Sequence, residues 1–212
     1  SSLVHRPGVR AFWSWLEKRT IHRACRVLAV SPSIARELER RYHLPRVGVL
    51  RNLPPYRDPV PSHRLRDELS LSHEVPLFLY QGGFLTANGL AEQIAAMGAV
   101  DGAHLVLLGD GPTESALRRQ VADAGLGDRV HFVPRVPFDV LHEYTCCADV
   151  GLCLIPPAGE SFRYCLPNKL FEYFMAGLPV LGSDTPEIRA VLESTGAGLV
   201  VDATDTAAAD DR

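Results

Sequence analysis

The run Cys165-Leu166-Pro167-Asn168-Lys169-Leu170-Phe171-Glu172-Tyr173-Phe174-Met175-Ala176-Gly177-Leu178-Pro179-Val180 decides how this chain reads. Proline fits the first helical turn, where its missing N–H has no partner to lose, and glycine commonly sits just past a helix end. Pro167 is therefore expected to open a helix that Gly177 closes, with the apolar strand Pro179-Val180-Leu181 directly after it. The helix start then points into a loop. Its N–H groups and positive dipole end form an anion site, and Lys169 in the first turn adds a full charge. A diphosphate suits that position. Glu172 lies more than one turn further in, where its carboxylate is placed to accept hydrogen bonds from sugar or ribose hydroxyls away from the phosphates. The same residues also fit an ordinary amphipathic helix that buries Leu170, Phe171, Phe174 and Met175 and leaves Asn168, Lys169 and Glu172 in solvent.

Outward from this run, apolar stretches alternate with helical periods. Strands are expected at Val75–Tyr80, His104–Leu108, Arg129–Val133, Asp149–Ile155, Leu178–Gly182 and Gly198–Val201. Helices are expected at Leu90–Met97, Thr113–Ala124, Phe138–Cys147, Asn168–Ala176 and Pro186–Glu193. Continuous apolar strands separated by single helices indicate a parallel sheet covered on both faces, a doubly wound, Rossmann-like α/β domain. Ligands in that architecture sit at the carboxyl ends of the strands. The turns expected there are Gln81-Gly82-Gly83-Phe84, Gly109-Asp110-Gly111-Pro112, Pro134-Arg135-Val136-Pro137 and the long loop Pro156–Leu166. Glycines let backbone approach a ligand, and serve equally in plain turns.

Composition narrows the classes. At 212 residues, 46% hydrophobic and 22% charged, the chain can bury a real core and form one to two domains. No apolar stretch approaches the ~20 residues that span a bilayer, and Ser1–Pro7 has no signal-peptide core, so a cytoplasmic protein is expected. The five cysteines (Cys25, Cys146, Cys147, Cys153 and Cys165) are odd in number and include no Cys-x-x-Cys pair, which argues against a metal or disulfide framework. Net charge is -3, yet residues 1–68 carry 14 Lys+Arg against 6 Asp+Glu and the remainder carries 8 against 19. A basic front thus adjoins an acidic remainder. Arginines that are scattered and nearly all free of aromatics after Trp13 and Trp15 speak against nucleic acid, whereas a basic front is compatible with a peripheral membrane contact. His104 and His131 fall inside strands and read as core or interface residues rather than bases.

The run Pro167-Asn168-Lys169-Leu170-Phe171-Glu172-Tyr173, with Ala176-Gly177-Leu178-Pro179-Val180 after it, resembles the donor-binding segment of retaining GT-B glycosyltransferases of the group 1 or family 4 type. Val106–Pro112 and Val130–Pro134 are similar to the two strand ends that border the nucleotide there, and the resemblance covers roughly residues 27–201. Glu172 matches the second Glu of the family's Glu, seven residues, Glu signature, while Tyr164 stands at the first. Branches reading Pro-Asn-Lys-Leu-Phe-Glu-Tyr also lack that first Glu. Where the family often has Arg after Gly82 and Lys or Arg before Gly89, this chain has Gly83 and Asn88. The resemblance implies a donor site built from Gly83, Asn88, Gly109, Arg135, Val136, Arg163, Asn168, Lys169, Leu170 and Glu172, with phosphate held by Lys169, Arg163, Arg135 and backbone amides. It implies a UDP- or GDP-sugar donor, a glycan or lipid-linked acceptor, retention of configuration, and neither metal nor cofactor. No catalytic residue is assigned, because chemistry there depends on stabilising a departing diphosphate.

Ahead of this domain, Arg10–Arg26 carries Phe12, Trp13, Trp15, Leu16 and Ile21 among basic residues and is expected to be a core-facing amphipathic helix. A strand at Val27–Val30, a helix capped by Ser31-Pro32-Ser33 and running to Tyr42, and Val47–Pro54 follow. In the family this order closes the acceptor domain. Residues 1–50 are thus expected to be the last elements of an N-terminal acceptor-side domain, 51–62 a linker and 63–212 the nucleotide-sugar-binding domain, with the polar ending Asp202–Arg212 truncated or disordered. Two alternatives share this fold: a catalytically silent GT-B-like binding or scaffold module, favoured by Gly83, Asn88 and Tyr164, and a nucleotide-sugar epimerase. A dinucleotide-binding oxidoreductase is disfavoured, because Glu114 occupies the place of the third small residue of its glycine fingerprint.

Overall fold

A strand that is apolar at successive positions needs cover on both faces, and the computed structural model supplies it for Leu77-Phe78-Leu79-Tyr80 and for Leu105–Leu108. The structure describes residues 7–156 and 159–202. Most of the stretch Ser1–Pro7, Pro157 and Ala158 of the long loop, and the ending beyond Asp202 lie outside the described residues. The chain divides into two units, Ser1–Asn52 and Leu53–Arg212.

In the first unit, helix α1 (Pro7–Thr20) precedes strand β1 (Leu28–Ala29), helix α2 (Pro32–Tyr42) and strand β2 (Gly48–Val49), and β1 pairs parallel with β2. Ser31 caps α2 by accepting the Ile34 N–H at 3.4 Å. The Glu39 carboxylate accepts the Val47 N–H at 2.7 Å, which ties the helix to the second strand. The expectation of a core-facing helix at Arg10–Arg26 is corrected here: Phe12, Trp13 and Trp15 are 54%, 61% and 57% exposed. Two short strands offer no sheet face broad enough to bury them, and the rings of Phe12 and Trp13 pack edge to face on each other instead.

The second unit opens with an irregular stretch through residue 63 that packs against its own helices: the Arg57 guanidinium donates to Asp139 O at 2.9 Å, and the His142 ring meets Asp58 O at 2.8 Å. Helix α3 (Arg64–Glu68) follows. Its Arg66 is buried and donates to Cys147 O, Ser72 O, Val75 O and, at 2.6 Å, the Asp149 carboxylate. A buried guanidinium with all its partners in place holds this corner together. The remaining strands are β3 (Leu77–Gly83), β4 (His104–Asp110), β5 (Val130–Val133), β6 (Val150–Cys153), β7 (Val180–Ser183) and β8 (Gly198–Val201). The helices between them are α4 (Leu90–Ala96), α5 (Glu114–Asp123), α6 (Phe138–Thr145), α7 (Glu160–Arg163), α8 (Asn168–Met175) and α9 (Pro186–Thr195).

All six strands run parallel in the order β5-β4-β3-β6-β7-β8, so the doubly wound Rossmann-like sheet expected from the alternation is observed. Leu77 and Leu79 face a core shared with Tyr173 of α8 and Ile188 of α9, while Tyr80 and Leu107 face one shared with Ile94 of α4 and Leu117 of α5. Chain order reverses between β3 and β6, the place where carboxyl ends diverge and a crevice opens. Two expectations need amending. Strands β3 and β4 run on through Gly83 and Asp110 because their ladder continues, with Gly82 opposite Gly109, and a β-carbon on Gly109 would overlap the Gly82 carbonyl. The loop Pro156–Leu166 contains the short helix α7.

Strand β6 carries Gly151 directly beneath α8, where an added β-carbon would overlap the ring of buried Tyr173. That ring is fixed by hydrogen bonds and cannot give way, so Gly151→Ala is expected to cost about 1–3 kcal/mol. Gly127→Ala, with open space at its β-carbon, should stay within about 0.5 kcal/mol of the parent. Urea unfolding of the two variants checks this, and equal midpoints would show that Tyr173 is free to move.

Candidate functional site

A cleft of about 590 Å³ opens at the carboxyl ends of β3 and β4. Gln81, Gly82, Leu108 and Gly109 form its floor, Arg135, Val136, Pro137, Phe138 and Leu141 one wall, and Pro167, Asn168, Lys169 and Glu172 the other. The second wall is the start of α8. Pro167 is the residue that caps this helix, with extended φ −77° and ψ 147°, and not its first helical residue as expected from the usual place of proline. Pro167 has no side-chain oxygen and makes no cap hydrogen bond, and the start of α8, with the positive end of its dipole, lines the cleft.

Lys169 sits one residue into α8. It is partly exposed as a residue, but its Nζ lies 3.7 Å from the centroid of the Tyr80 ring, and among the described residues no carboxylate forms an ion pair with it. A desolvated ammonium over an aromatic face is attracted by the ring quadrupole. Burial outweighs the attraction of Cys153, Cys165 and Glu172 and pushes the Lys169 pKa down to about 8. The Tyr80 hydroxyl donates to Gly83 O at 2.8 Å and accepts from Asn88 Nδ2 at 2.9 Å, and burial pushes its pKa up to about 12.

Glu172 follows three residues later on the same helix and is half-buried. Its Oε2 accepts a short hydrogen bond from Gln81 Nε2, and Gln81 Oε1 accepts from Thr145 Oγ1 at 2.8 Å. The next residue, Tyr173, points the opposite way into the core. Its hydroxyl accepts the Gln81 N–H at 3.1 Å and reaches Leu79 O at 3.1 Å and Leu152 O at 3.3 Å, filling the fork between β3 and β6. Burial raises the Tyr173 pKa well above its ordinary value, so the phenol stays a donor.

The structure gathers Gly109, Arg135, Val136, Asn168, Lys169 and Glu172 around one cleft. It places the other nominated residues elsewhere. Leu170 is fully buried and its N–H is taken by Pro167 O at 3.2 Å, because the helix turns it toward the sheet. Asn88 spends its amide on Tyr80 and on Gly83 O at 2.8 Å, so both Asn88 and Gly83 brace the end of β3 rather than line the cleft. Arg163, on α7, stacks over Tyr164 at 5.8 Å and is absent from the lining. Arg135 stands at the rim and pairs with Asp110 at 3.0 Å. His104 and His131 lie near the opposite end of the sheet, bonded to each other at 2.8 Å with rings stacked, and burial lowers both pKa values. Sequence reasoning missed Gln81, a polar residue inside an otherwise apolar strand. That break in pattern, together with its place in the turn expected after the first strand, was the signal available.

Residues 76–211 match the family described as glycosyl transferases group 1, more than half of the chain. The chain belongs to that family. A 2-deoxystreptamine N-acetyl-D-glucosaminyltransferase of Streptomyces fradiae is 30% identical over 129 residues, which is 61% of this chain and 29% of the relative. A GDP-mannose-dependent alpha-(1-6)-phosphatidylinositol monomannoside mannosyltransferase of Mycobacterium tuberculosis is 34% identical over 105 residues, 49% of this chain and 27% of the relative. The match thus spans under a third of these relatives' length. Among solved structures, Anabaena HepE in complex with UDP and glucose superposes with TM-score 0.71 over 97% of this chain and 56% of its own, at 17% identity, which shows the same GT-B type of fold.

In this group 1 chain the cost of burying Lys169 is measurable without ligand. Its folded pKa is lowered, so between about pH 8 and the unfolded value near 10.4 the unfolded chain binds more protons and stability rises with pH. Lys169→Met is expected to be more stable than the parent by roughly 1–3 kcal/mol at pH 7, the gain shrinking between about pH 8 and pH 10.4. Urea titrations at the two ends of that window check it. A variant no more stable at pH 7 would mean that the ammonium remains hydrated.

Proposed function

We propose that this chain carries the donor-binding part of an enzyme that moves a hexose-like sugar from a nucleotide-sugar donor to a glycan or lipid-linked acceptor with retention of configuration. One observation supports this above others: the ammonium of Lys169, buried over Tyr80 without a carboxylate ion pair among the described residues, shares a cleft with the half-buried carboxylate of Glu172 one turn along the same helix. A diphosphate placed at the start of α8 meets a helix dipole and a pre-oriented cation, while a ribose or sugar further along meets Glu172. Family membership and the position of the cleft at the carboxyl ends of a parallel sheet agree with this reading.

The chemistry follows from the charges. As the anomeric carbon–oxygen bond breaks, negative charge grows on the departing diphosphate, and a cation fixed before the reaction stabilises it without reorganising. Among the described lining residues Glu172 supplies the one carboxylate, and it is engaged by Gln81. An anchoring role for Glu172 and retention of configuration fit that arrangement better than a base that activates an acceptor from the opposite face. Unit Ser1–Asn52 belongs, in this reading, to the acceptor side. UDP and GDP both enter as candidates, since HepE was solved with UDP and the mannosyltransferase relative is GDP-mannose-dependent.

Isothermal titration of UDP, GDP, ADP and their hexose conjugates tests the reading. One of the nucleotides should bind, and Lys169→Ala should weaken it roughly tenfold or more by removing a buried charge-assisted contact. Arg135→Ala, exposed and already paired with Asp110, should cost only a few-fold. Affinity should fall as pH rises through about 8, because the anion binds the protonated lysine. No binding of any nucleotide at millimolar concentration would dismiss the donor site, and unchanged affinity in Lys169→Ala would dismiss Lys169 as a ligand.

A further inference from the structure

We propose that Gln81 is a positioning residue: its buried side-chain amide, anchored at its far end by Thr145, holds the Glu172 carboxylate at the wall of the cleft for the sugar or ribose hydroxyls of the donor. This rests on the donor-site reading above and adds to it the residue that sets the geometry.

The amide can take two orientations, and the carboxylate selects one. With Nε2 toward Glu172, an N–H meets the carboxylate, and Oε1 faces Thr145. The reverse would press a carbonyl oxygen against a carboxylate oxygen at hydrogen-bond distance, two acceptors with no proton between them. Thr145 completes the logic. Its hydroxyl lies 2.8 Å from Gln81 Oε1 and 2.9 Å from Leu141 O, but has a single proton to give. Because Gln81 must present Oε1 to it, that proton goes to Gln81. The chain Thr145–Gln81–Glu172 is thereby ordered from helix α6 through strand β3 to helix α8, with a definite donor and acceptor at each link.

The position is also unusual for its residue type. Gln81 is 3% exposed in a strand whose preceding residues are apolar, and its own N–H is spent on the Tyr173 hydroxyl, which fixes the backbone beneath the side chain. A glutamine buried there must gain hydrogen bonds that offset its desolvation, and both ends of its amide have them. What it holds is one of the two charged groups on the α8 wall of the cleft. A carboxylate left to rotate would meet hydroxyls only part of the time, and the binding lost equals the fraction of time it is misplaced.

The test uses Gln81→Glu, Glu172→Gln and the exchanged pair Gln81→Glu with Glu172→Gln, in calorimetric titrations with whichever of UDP-glucose and GDP-mannose the parent binds more tightly, at pH 7.5 and 5.5. Melting temperatures are recorded alongside. Placing two carboxylates in contact should weaken binding roughly tenfold or more at pH 7.5 relative to the parent. The ratio of variant to parent Kd should fall toward unity at pH 5.5, because the pair then shares one proton. The exchanged pair should regain the melting temperature but not the affinity, since the carboxylate then sits on the wrong residue. A pH-independent Kd ratio, or an exchanged pair that regains both quantities, would overturn the proposal and leave Gln81 a packing residue.

Should Gln81→Glu fail to fold, Thr145 provides the same test from a residue outside the main cleft lining. Thr145→Val removes the hydroxyl that anchors Oε1 of the buried amide and should weaken binding several-fold, whereas Thr145→Ser keeps it and should bind as the parent does. Parent-like affinity in Thr145→Val would overturn the proposal. If the parent binds neither nucleotide sugar, the donor-site reading fails and this proposal with it; if the parent binds and the variants behave as packing mutants, only the positioning role fails.

Discussion

The hydroxyl of Tyr173 sits where β3 and β6 part company, and the geometry of the cleft depends on it. At that fork the sheet can no longer satisfy its own backbone, since β3 and β6 are paired only as far as Leu79 and Gly151. One phenol takes over, accepting the Gln81 N–H and reaching the carbonyls of Leu79 and Leu152. Unpaired backbone groups at a buried position cost free energy comparable to a lost hydrogen bond each, so the helix carrying this phenol is held in a single place. Gly151 makes the contact sterically feasible by leaving room for the ring.

Once α8 is pinned in this way, its other face is determined by helical geometry. Tyr173 and Leu170 turn toward the sheet, and Lys169 and Glu172 turn toward the cleft, because residues three apart share a face. The helix is therefore half core and half cleft wall. Apolar packing on one side supplies the rigidity with which two charges are presented on the other. Burial disfavours the Lys169 ammonium, and in the proposed donor site an anion at the start of α8 offsets that cost.

The strands, the helices and their alternation were legible in the amino-acid sequence because a parallel sheet buried on both faces requires unbroken apolar runs, and Leu77–Tyr80, Leu105–Leu108 and Val150–Cys153 supply them. Lys169, Glu172, Gly109, Arg135, Val136 and Asn168 were nominated from strand ends and one helix start, which topology brings together. Asn88, Gly83 and Leu170 were nominated on the same grounds but lie outside the cleft lining, the first two bonded at the end of β3 and the last packed in the core. Sequence position shows which residues are near a site but not which way a side chain turns. The exposed aromatic rings of α1 show the same limit: periodicity describes an apolar face without saying what covers it.

The sequence by itself determined the fold class, the helix beginning beside Pro167 and the family, because these depend on local propensity, hydrophobic period and a contiguous motif. Only the tertiary structure decided that Gln81 bonds Glu172 at one end of its amide and Thr145 at the other, that Arg135 is tied to Asp110, and that Lys169 lies against Tyr80. Those contacts join residues separated by 25 to 91 positions along the chain, as Gln81 and Glu172 illustrate at the upper end, and no local pattern encodes a partner at such a distance.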